Sequence, residues 1–302
     1  MTDVRPIQRT IARTITTPPP APGFAGAGHT AVPVVDPSRF AEQDPFIVLM
    51  DDRVDMQPGV PIGGEHPHAG FEIATFLVEG AVHDQDEGVL RSGDLQWMLA
   101  GRGVIHNEHS MPEGRTRILQ LWMTIPAGER WSEPHLETVA RDLAPVRRTA
   151  GVEVRVYSGS SGDARAPERS HGHVPTTIVD VSLEAGATLE QDLPASYNGF
   201  VYVLDGSVHV GAGDGTALRT GQVGWLDRPE SNGPSVLRVS ASDGESARVV
   251  LYAGEPQHKP IAMHGPFVGE TRADLMRVSR DYMDGRFDRV SALMQRANAA
   301  VR

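Results

Sequence analysis

The sequence predicts an all-β fold of two small antiparallel barrels in tandem, followed by a short C-terminal helical segment. Short runs rich in β-branched and aromatic residues are bounded by glycine and aspartate turns, a pattern typical of antiparallel strands in small sandwiches and barrels. Turn and tryptophan landmarks recur in both halves of the chain at a nearly constant offset, which indicates a duplicated barrel. These landmarks are Glu79-Gly80, Gly93 and Trp97 in the first half, and Asp205-Gly206, Gly221 and Trp225 in the second. With 302 residues, the chain is long enough for two domains with separate cores.

The composition excludes several classes of protein. The formal net charge is -11, with 28 Lys and Arg against 39 Asp and Glu, and this balance disfavours direct binding to a nucleic-acid backbone. Cysteine is absent, so the chain has neither a disulfide framework nor a thiolate metal site. No apolar run approaches the ~20 residues that span a bilayer, and the first residues lack the apolar core of a secretory signal. We therefore expect a soluble, cytoplasmic protein without a membrane or direct nucleic-acid partner.

Residues 1–35 are predicted to form an N-terminal arm. Isoleucine and threonine alternate over residues 10–16, which predicts a strand. The stretch TPPPAPGFAGAGH follows, and its prolines resist regular strand pairing while its glycines loosen the backbone. We expect a surface arm that carries no chemistry.

The first barrel, predicted over residues 36–135, contains two pairs of candidate metal ligands. Alternate side chains of a strand share one face at a spacing of ~6.6 Å, so His66 with His68, and His106 with Glu108, can each aim two ligands at one point. If both pairs point inward from neighbouring strands, three imidazoles and one carboxylate meet in a mostly apolar cavity. This ligand set suits iron, manganese, nickel or zinc, and six-coordinate iron would keep two positions open for a substrate and dioxygen.

The strings around these residues resemble a known family. H-x-H, then G-D and a later His, is similar to the two motifs of the cupins, which are jelly-roll β-barrels. GGEHPHAGFE, GDLQWMLAGRGVIHNE, ILQLW, LYAGEP and HGPFV, spread over residues 44–267, resemble the pirin family. The resemblance implies a bicupin with one Fe²⁺ in the N-terminal barrel, or Mn, Ni or Zn in its place. The metal ligands it implies are His66, His68, His106 and Glu108. General cupins take the carboxylate from the first motif, where Glu72 stands here, so Glu72 stays as an alternative that supports the ligands.

The second barrel, predicted over residues 136–265, is expected to be metal-free. With the offset between the halves, His66 and His68 correspond to Asp192 and Pro194. His106 and Glu108 correspond to positions near Pro234 and Val236, so the second half has no equivalent set of metal ligands. This barrel would serve for packing, for shielding the first barrel or for contact with a partner. His171-Gly172-His173 repeats the H-x-H pattern but follows a polar, glycine-rich stretch, and we interpret it as a solvated loop.

Two connecting segments complete the predicted organisation. The proline-bounded stretch from Pro126 to Pro145 is interpreted as a linker between the barrels. Residues 266–302 are expected to form a helical tail, because apolar residues recur there at helical spacing, with a break at Asp284-Gly285.

The resemblance also implies a function. Pirins with this ligand set are associated with quercetin 2,3-dioxygenase chemistry, in which dioxygen opens a flavonol ring, and Glu108 would be the catalytic general base. The expected partners are then a small-molecule substrate and dioxygen. Two alternatives stay open: an iron- and redox-dependent regulatory module that binds a protein partner, and another metal-dependent cupin enzyme.

Overall fold

A computed structural model of the chain describes residues 5–24, 26–55, 64–84, 86–107, 111–112, 114–168, 174–230 and 233–294. The chain forms two compact units. One groups residues 18–143, 170–174 and 257–302 and is called here the N-terminal barrel. The other groups residues 1–17, 144–169 and 175–256 and is called the C-terminal barrel. The residue bounds predicted above for the arm, the two barrels and the tail stay a prediction.

Most elements are strands. The strands of the first 143 residues are β1 Ile7–Gln8, β2 Ile11–Thr16, β3 Ala21–Pro22, β4 His29–Val35, β5 Phe46–Val54, β6 Glu65–His68, β7 Glu72–Glu79, β8 Ala81–Asp84, β9 Gly88–Arg91, β10 Leu95–Leu99, β11 Val104–Asn107, β12 Met111–Pro112, β13 Thr116–Met123 and β14 His135–Val139. The later strands are β15 Val146–Thr149, β16 Val152–Ser158, β17 Ser160–Ser161, β18 Ala164–Arg165, β19 Thr176–Leu183, β20 Thr188–Pro194, β21 Asn198–Asp205, β22 Ser207–Val210, β23 Thr216–Arg219, β24 Gln222–Leu226, β25 Pro234–Ala241, β26 Ala247–Gly254, β27 Ala262–His264, β28 Phe267–Gly269 and β29 Asp288–Arg289.

The described helices are few. They are α1 Phe40–Gln43, α2 Arg272–Met283, the 3-10 turns Pro37–Arg39 and Ala127–Glu129, and helical residues 290–294. None of them is long and apolar enough to cross a membrane. The all-β fold class with a short C-terminal helical segment is thereby confirmed.

The wall of the N-terminal barrel is a seven-stranded sheet in the order β14-β10-β7-β13-β5-β4-β3. Two three-stranded sheets, β29-β11-β6 and β12-β8-β9, belong to the same unit. Strand β14 lies in the stretch that we expected to be a linker, and it pairs with β10 from Leu95 opposite Val139 to Leu99 opposite His135. The linker prediction is therefore wrong for these residues, because they complete an edge of the sheet.

The C-terminal segment contributes to the core of the N-terminal barrel. Val268, Val290 and Leu293 are buried with barrel residues such as Phe71 and Met98. Helix α2 begins at a capping box formed by Thr271 and Asp274 and ends before Asp284-Gly285, where Gly285 has a φ of 69°. The predicted helical break at this dipeptide is confirmed.

The C-terminal barrel repeats the plan with a seven-stranded sheet, β15-β16-β19-β26-β21-β24-β2, and a five-stranded sheet. Strand β2, predicted from the alternation of isoleucine and threonine, pairs with β24. The Glu79-Gly80 and Asp205-Gly206 turns occupy equivalent places, since each follows a long strand and precedes a four-residue strand. Both glycines have positive φ, 86° and 73°, and an added Cβ would lie 2.5 Å and 2.2 Å from a backbone oxygen. The backbone therefore requires glycine at both turns.

Candidate metal centre

The strands that carry the three candidate histidines are hydrogen-bonded neighbours. Strands β6 and β11 pair antiparallel, with His66 opposite His106 and His68 opposite Val104. Because side chains alternate along a strand, His66 and His68 share one face of β6, and His106 reaches the same space from β11. The local pattern H-x-H and the register of two short strands thus bring the three imidazoles together.

The histidines form a compact group. One ring nitrogen from each of His66, His68 and His106 lies within 4.8 Å of the others, and this group could hold a metal ion. The ring centroids are 4.3 Å apart for His66 and His106, and 4.7 and 5.0 Å from His68 to each of them. His68 and His106 are buried, whereas His66 is half-buried.

Hydrogen bonds to the outer nitrogens orient two of the rings. His66 Nδ1 lies 2.7 Å from the carbonyl oxygen of Gly64, and His106 Nδ1 lies 2.7 Å from Oε1 of Glu87. A carbonyl and an ionised carboxylate only accept hydrogen bonds, so each of these rings carries a proton on Nδ1. Their Nε2 atoms lie 2.8 Å apart, and in the neutral rings both would present lone pairs to each other. A shared cation relieves this repulsion, so the donor set fits a metal ion.

The third ring, that of His68, is held neutral. Burial lowers its pKa well below the usual value of 6.5, and the neighbouring His106 and His66 lower it further. The backbone carbonyl of Pro266 opposes this shift without completing a hydrogen bond to Nδ1. The ring packs edge-on against Trp122 and Phe71, with centroids 5.3 and 5.4 Å away. A neutral imidazole in a fixed orientation is the form that binds metals.

Comparison with known proteins agrees with this arrangement. Residues 31–123 match the family model described as Pirin, and residues 178–288 match the Pirin C-terminal cupin domain. The chain belongs to the pirin family. A pirin-like protein of Caulobacter vibrioides is 36% identical over 278 residues, which are 88% of this chain and 95% of the relative. A Pseudomonas aeruginosa protein named "Putative quercetin 2,3-dioxygenase PA3240" is 34% identical, covering 87% of this chain and 94% of the relative.

A solved structure extends the similarity to both barrels. The crystal structure of a quercetin 2,3-dioxygenase from Acinetobacter baumannii superposes with a TM-score of 0.79 at 26% sequence identity, over 93% of this chain and 98% of that one. The prediction of a pirin with two cupin domains is therefore confirmed. The Pirin model lies within the N-terminal barrel, whereas the Pirin C-terminal model covers most of the C-terminal barrel and continues into residues 257–288, which belong to the N-terminal barrel.

Not every residue singled out from the sequence joins this pirin site. Glu108, predicted as the fourth ligand and general base, lies outside the described residues, as do His171 and His173. Glu72 is fully buried at the start of β7, but within the described part of the chain it is not a member of the metal-ligand group.

Sequence reasoning missed Glu87. It stands between β8 and β9, far from both ligand pairs in the pattern, yet its carboxylate holds His106. The acidic stretch D-Q-D-E-G offers no spacing rule that could have identified it, because the contact depends on how a turn folds over the β6 and β11 pair. Carboxylates that orient a histidine in this way raise its basicity as a ligand.

A cavity inside the barrel adjoins the histidines. His106 and Glu87 line one part of it, and its walls are mostly apolar. A second, more open cavity is lined by residues that include His66, His68 and Trp122. Phe24, Asp52 and Gln120 line both cavities. An apolar cavity with a few convergent polar groups is typical of a small-molecule site.

Proposed function

We propose that the chain is an iron-dependent oxygenase of the quercetin 2,3-dioxygenase type that acts on a flavonol or a similar planar enol. The observation that carries this proposal is the convergence of three imidazoles beside a largely apolar cavity. The names of the Pseudomonas and Acinetobacter proteins add support for oxygenase chemistry on this fold. The substrates would be the enol and dioxygen.

The metal ligands in this proposal are His66, His68, His106 and Glu108, with Fe²⁺ as the resident ion and Mn, Ni or Zn as alternatives. A bound ion of this kind would supply Lewis acidity towards an enol hydroxyl and a binding position for dioxygen. The alternation of side chains beyond His106 gives Glu108 the same parity, which supports its inclusion.

The chain's own residues perform three tasks in the proposed reaction. Glu108 accepts the proton of the substrate's enol hydroxyl as general base. Glu87 keeps the proton of His106 on Nδ1, so that Nε2 stays available as a ligand. The apolar walls, such as Ile73, Leu77 and Met98, exclude water from the reacting ring.

Metal analysis with a turnover assay tests this proposal. We expect about one iron per chain after anaerobic reconstitution, with loss of quercetin and release of carbon monoxide on exposure to air. Glu108→Gln should abolish turnover, whereas His209→Ala, at an exposed histidine of the C-terminal barrel, should leave it unchanged. Iron binding with no turnover of flavonols by any metal form would overturn the oxygenase assignment in favour of a regulatory module or another cupin reaction.

A further inference from the structure

A second polar pair lines the cavity beside the metal-ligand group: His29, which is buried, and Asp52, which is partly buried. His29 Nε2 lies 2.9 Å from Asp52 Oδ1, and their side chains are 3% and 16% exposed. Both line the cavity that His106 and Glu87 also line, whose other walls are mostly apolar, and Asp52 also lines the cavity of His66 and His68. We propose that this pair is a subsite that binds a ring hydroxyl of a planar aromatic substrate.

The strand register explains why the pair faces inward. In the pairing of β4 with β5, His29 is opposite Val54 and Ala31 is opposite Asp52, so the two side chains are diagonal neighbours on one face. The adjacent Asp51 has the opposite parity. Its carboxylate accepts two hydrogen bonds from Arg117, at 2.9 and 2.7 Å, outside the set of cavity-lining residues. Asp51 is thus paired with Arg117, whereas Asp52 faces the cavity.

The segment before β4 orients the imidazole and adds an aromatic surface. Gly23 approaches the ring so closely that an added Cβ would lie 2.4 Å from His29 Nδ1. Phe24 packs edge-on against His29, with ring centroids 5.1 Å apart and an interplanar angle of 88°. Phe24 is nevertheless 75% exposed and lines both cavities. An exposed phenyl ring beside this polar pair suits a ligand that is flat, apolar on its faces and polar at its edge.

The hydrogen-bond chemistry specifies a hydroxyl group. A carboxylate has about four acceptor sites, so Asp52 can accept a hydrogen bond from a ligand while it holds His29. A phenolic hydroxyl donates such a bond, and an unsubstituted ring does not. The identity of the substrate class rests on the proposed function. The subsite proposal adds that the cavity recognises a second hydroxyl of the substrate, besides the enol hydroxyl that would bind the metal.

Two flavonols that differ only in ring hydroxyls test the proposal. We would measure equilibrium binding of quercetin and of 3-hydroxyflavone, which carries the enol alone, to the metal-loaded protein without oxygen. For Asp52→Ala we expect roughly tenfold or greater weakening for quercetin and less than about twofold for 3-hydroxyflavone, since a hydrogen bond to a charged group is lost only with the first. Asp52→Asn keeps an acceptor for His29 and should give a smaller effect in the same direction. Asp243→Asn, at an exposed aspartate of the C-terminal barrel, is the matched control.

The outcomes separate the subsite from the proposed reaction. Equal weakening of both flavonols, or none, with an unchanged metal content would overturn the subsite even if turnover is intact. Selective weakening with no turnover would support the subsite and contradict the oxygenase reaction. Failure of the wild-type protein to bind either flavonol would overturn both. Where Asp52→Ala is unstable, the selectivity of Asp52→Asn decides between these results.

Discussion

The two barrels share a strand plan but differ in what fills them. In the N-terminal barrel, polar residues such as Thr75, Gln96 and Gln120 line an interior cavity. In the C-terminal barrel, the inward positions of the main strands are occupied by a continuous core of buried valine, leucine and alanine, with Val203, Leu218 and Leu251 as examples. The same architecture can therefore enclose a site or a solid core, and the choice depends on a few inward residues.

The difference is clearest at the strand pair that holds the histidines. The offset between the halves carries His66 and His68 onto Asp192 and Pro194 of β20, which are exposed. The inward positions of β20 are instead Leu189, Gln191 and Leu193, which are buried. A shift of one residue in a strand moves a side chain to the other face, so β20 presents two leucines and a glutamine where β6 presents imidazoles. That the C-terminal barrel is metal-free stays a prediction.

The largest effect should come from removing one histidine of the group. His68→Ala is expected to lose most of the bound metal and the rise in melting temperature that metal provides, because no neighbouring group can replace a ligand. The measurements are elemental analysis and melting temperature with and without Fe²⁺. His209→Ala in the C-terminal barrel should retain both properties. Full metal occupancy in His68→Ala would contradict the ligand assignment and remove the main contrast between the barrels.

A core mutation in the C-terminal barrel should lower stability and leave metal content unchanged. Leu251 is 2% exposed, and Leu251→Ala should lower the free energy of unfolding by about 2–5 kcal/mol through lost burial and a residual cavity. Metal content should not change, since no group of candidate metal ligands among the described residues lies in that barrel. Chemical denaturation and elemental analysis measure the two quantities. Leu143→Ala is the control, because Leu143 is 73% exposed. A loss of metal in Leu251→Ala would show that the barrels are less independent than the contrast implies.

A smaller effect is expected for the residue that orients His106. Glu87→Gln keeps the size of the side chain but weakens the hydrogen bond to Nδ1, and metal affinity should fall about 10–100-fold. Competition with a chelator of known affinity measures the change. Glu79→Gln, at an exposed glutamate of the same barrel, should leave affinity within about twofold. Equal affinities for Glu87→Gln and the wild type would mean that Glu87 does not orient the ligand.

The residues of the site that could be predicted from the sequence are those set by local periodicity. His66, His68 and His106 follow from strand alternation and a motif, and their grouping needs only the register of two short strands. Glu87 and the His29 and Asp52 pair come together through tertiary contacts between distant segments, for which composition offers no signal. The proline- and glycine-rich stretch before His29 suggested a surface arm. Its conformational freedom instead lets Gly23 pack directly on a buried ring.

Some features of the fold could likewise be predicted from local sequence, and others could not. The duplicated turns at Gly80 and Gly206 could be predicted because each requires a residue without a side chain, and an acidic residue followed by glycine is recognisable in the sequence. Strand β14 was not predicted, because His135–Val139 is short and lies in a proline-bounded stretch. It forms a strand because an edge of the sheet is available beside β10.

The smallest predicted effect concerns pH and the metal-free protein. The pKa of His68 is held well below 6.5 in the folded chain, mainly by burial, and returns to the ordinary value on unfolding. Above pH ~6.5 neither state binds the extra proton. As the pH falls below that value, only the unfolded state binds it, so the free energy of unfolding should decrease by up to about 1.4 kcal/mol per pH unit until the folded pKa is reached.

Comparison with His68→Asn isolates this contribution from the other histidines. Denaturation midpoints of the metal-free wild type and variant should converge as the pH falls from 7.5 to 5.5, because the variant lacks the group that penalises the folded state in acid. His209→Asn should keep the steeper pH dependence of the wild type, since that histidine is exposed. If His68→Asn and the wild type have the same slope, His68 is not held neutral by the barrel. The buried, ligand-ready imidazole would then no longer distinguish the N-terminal interior from the apolar core of the C-terminal barrel.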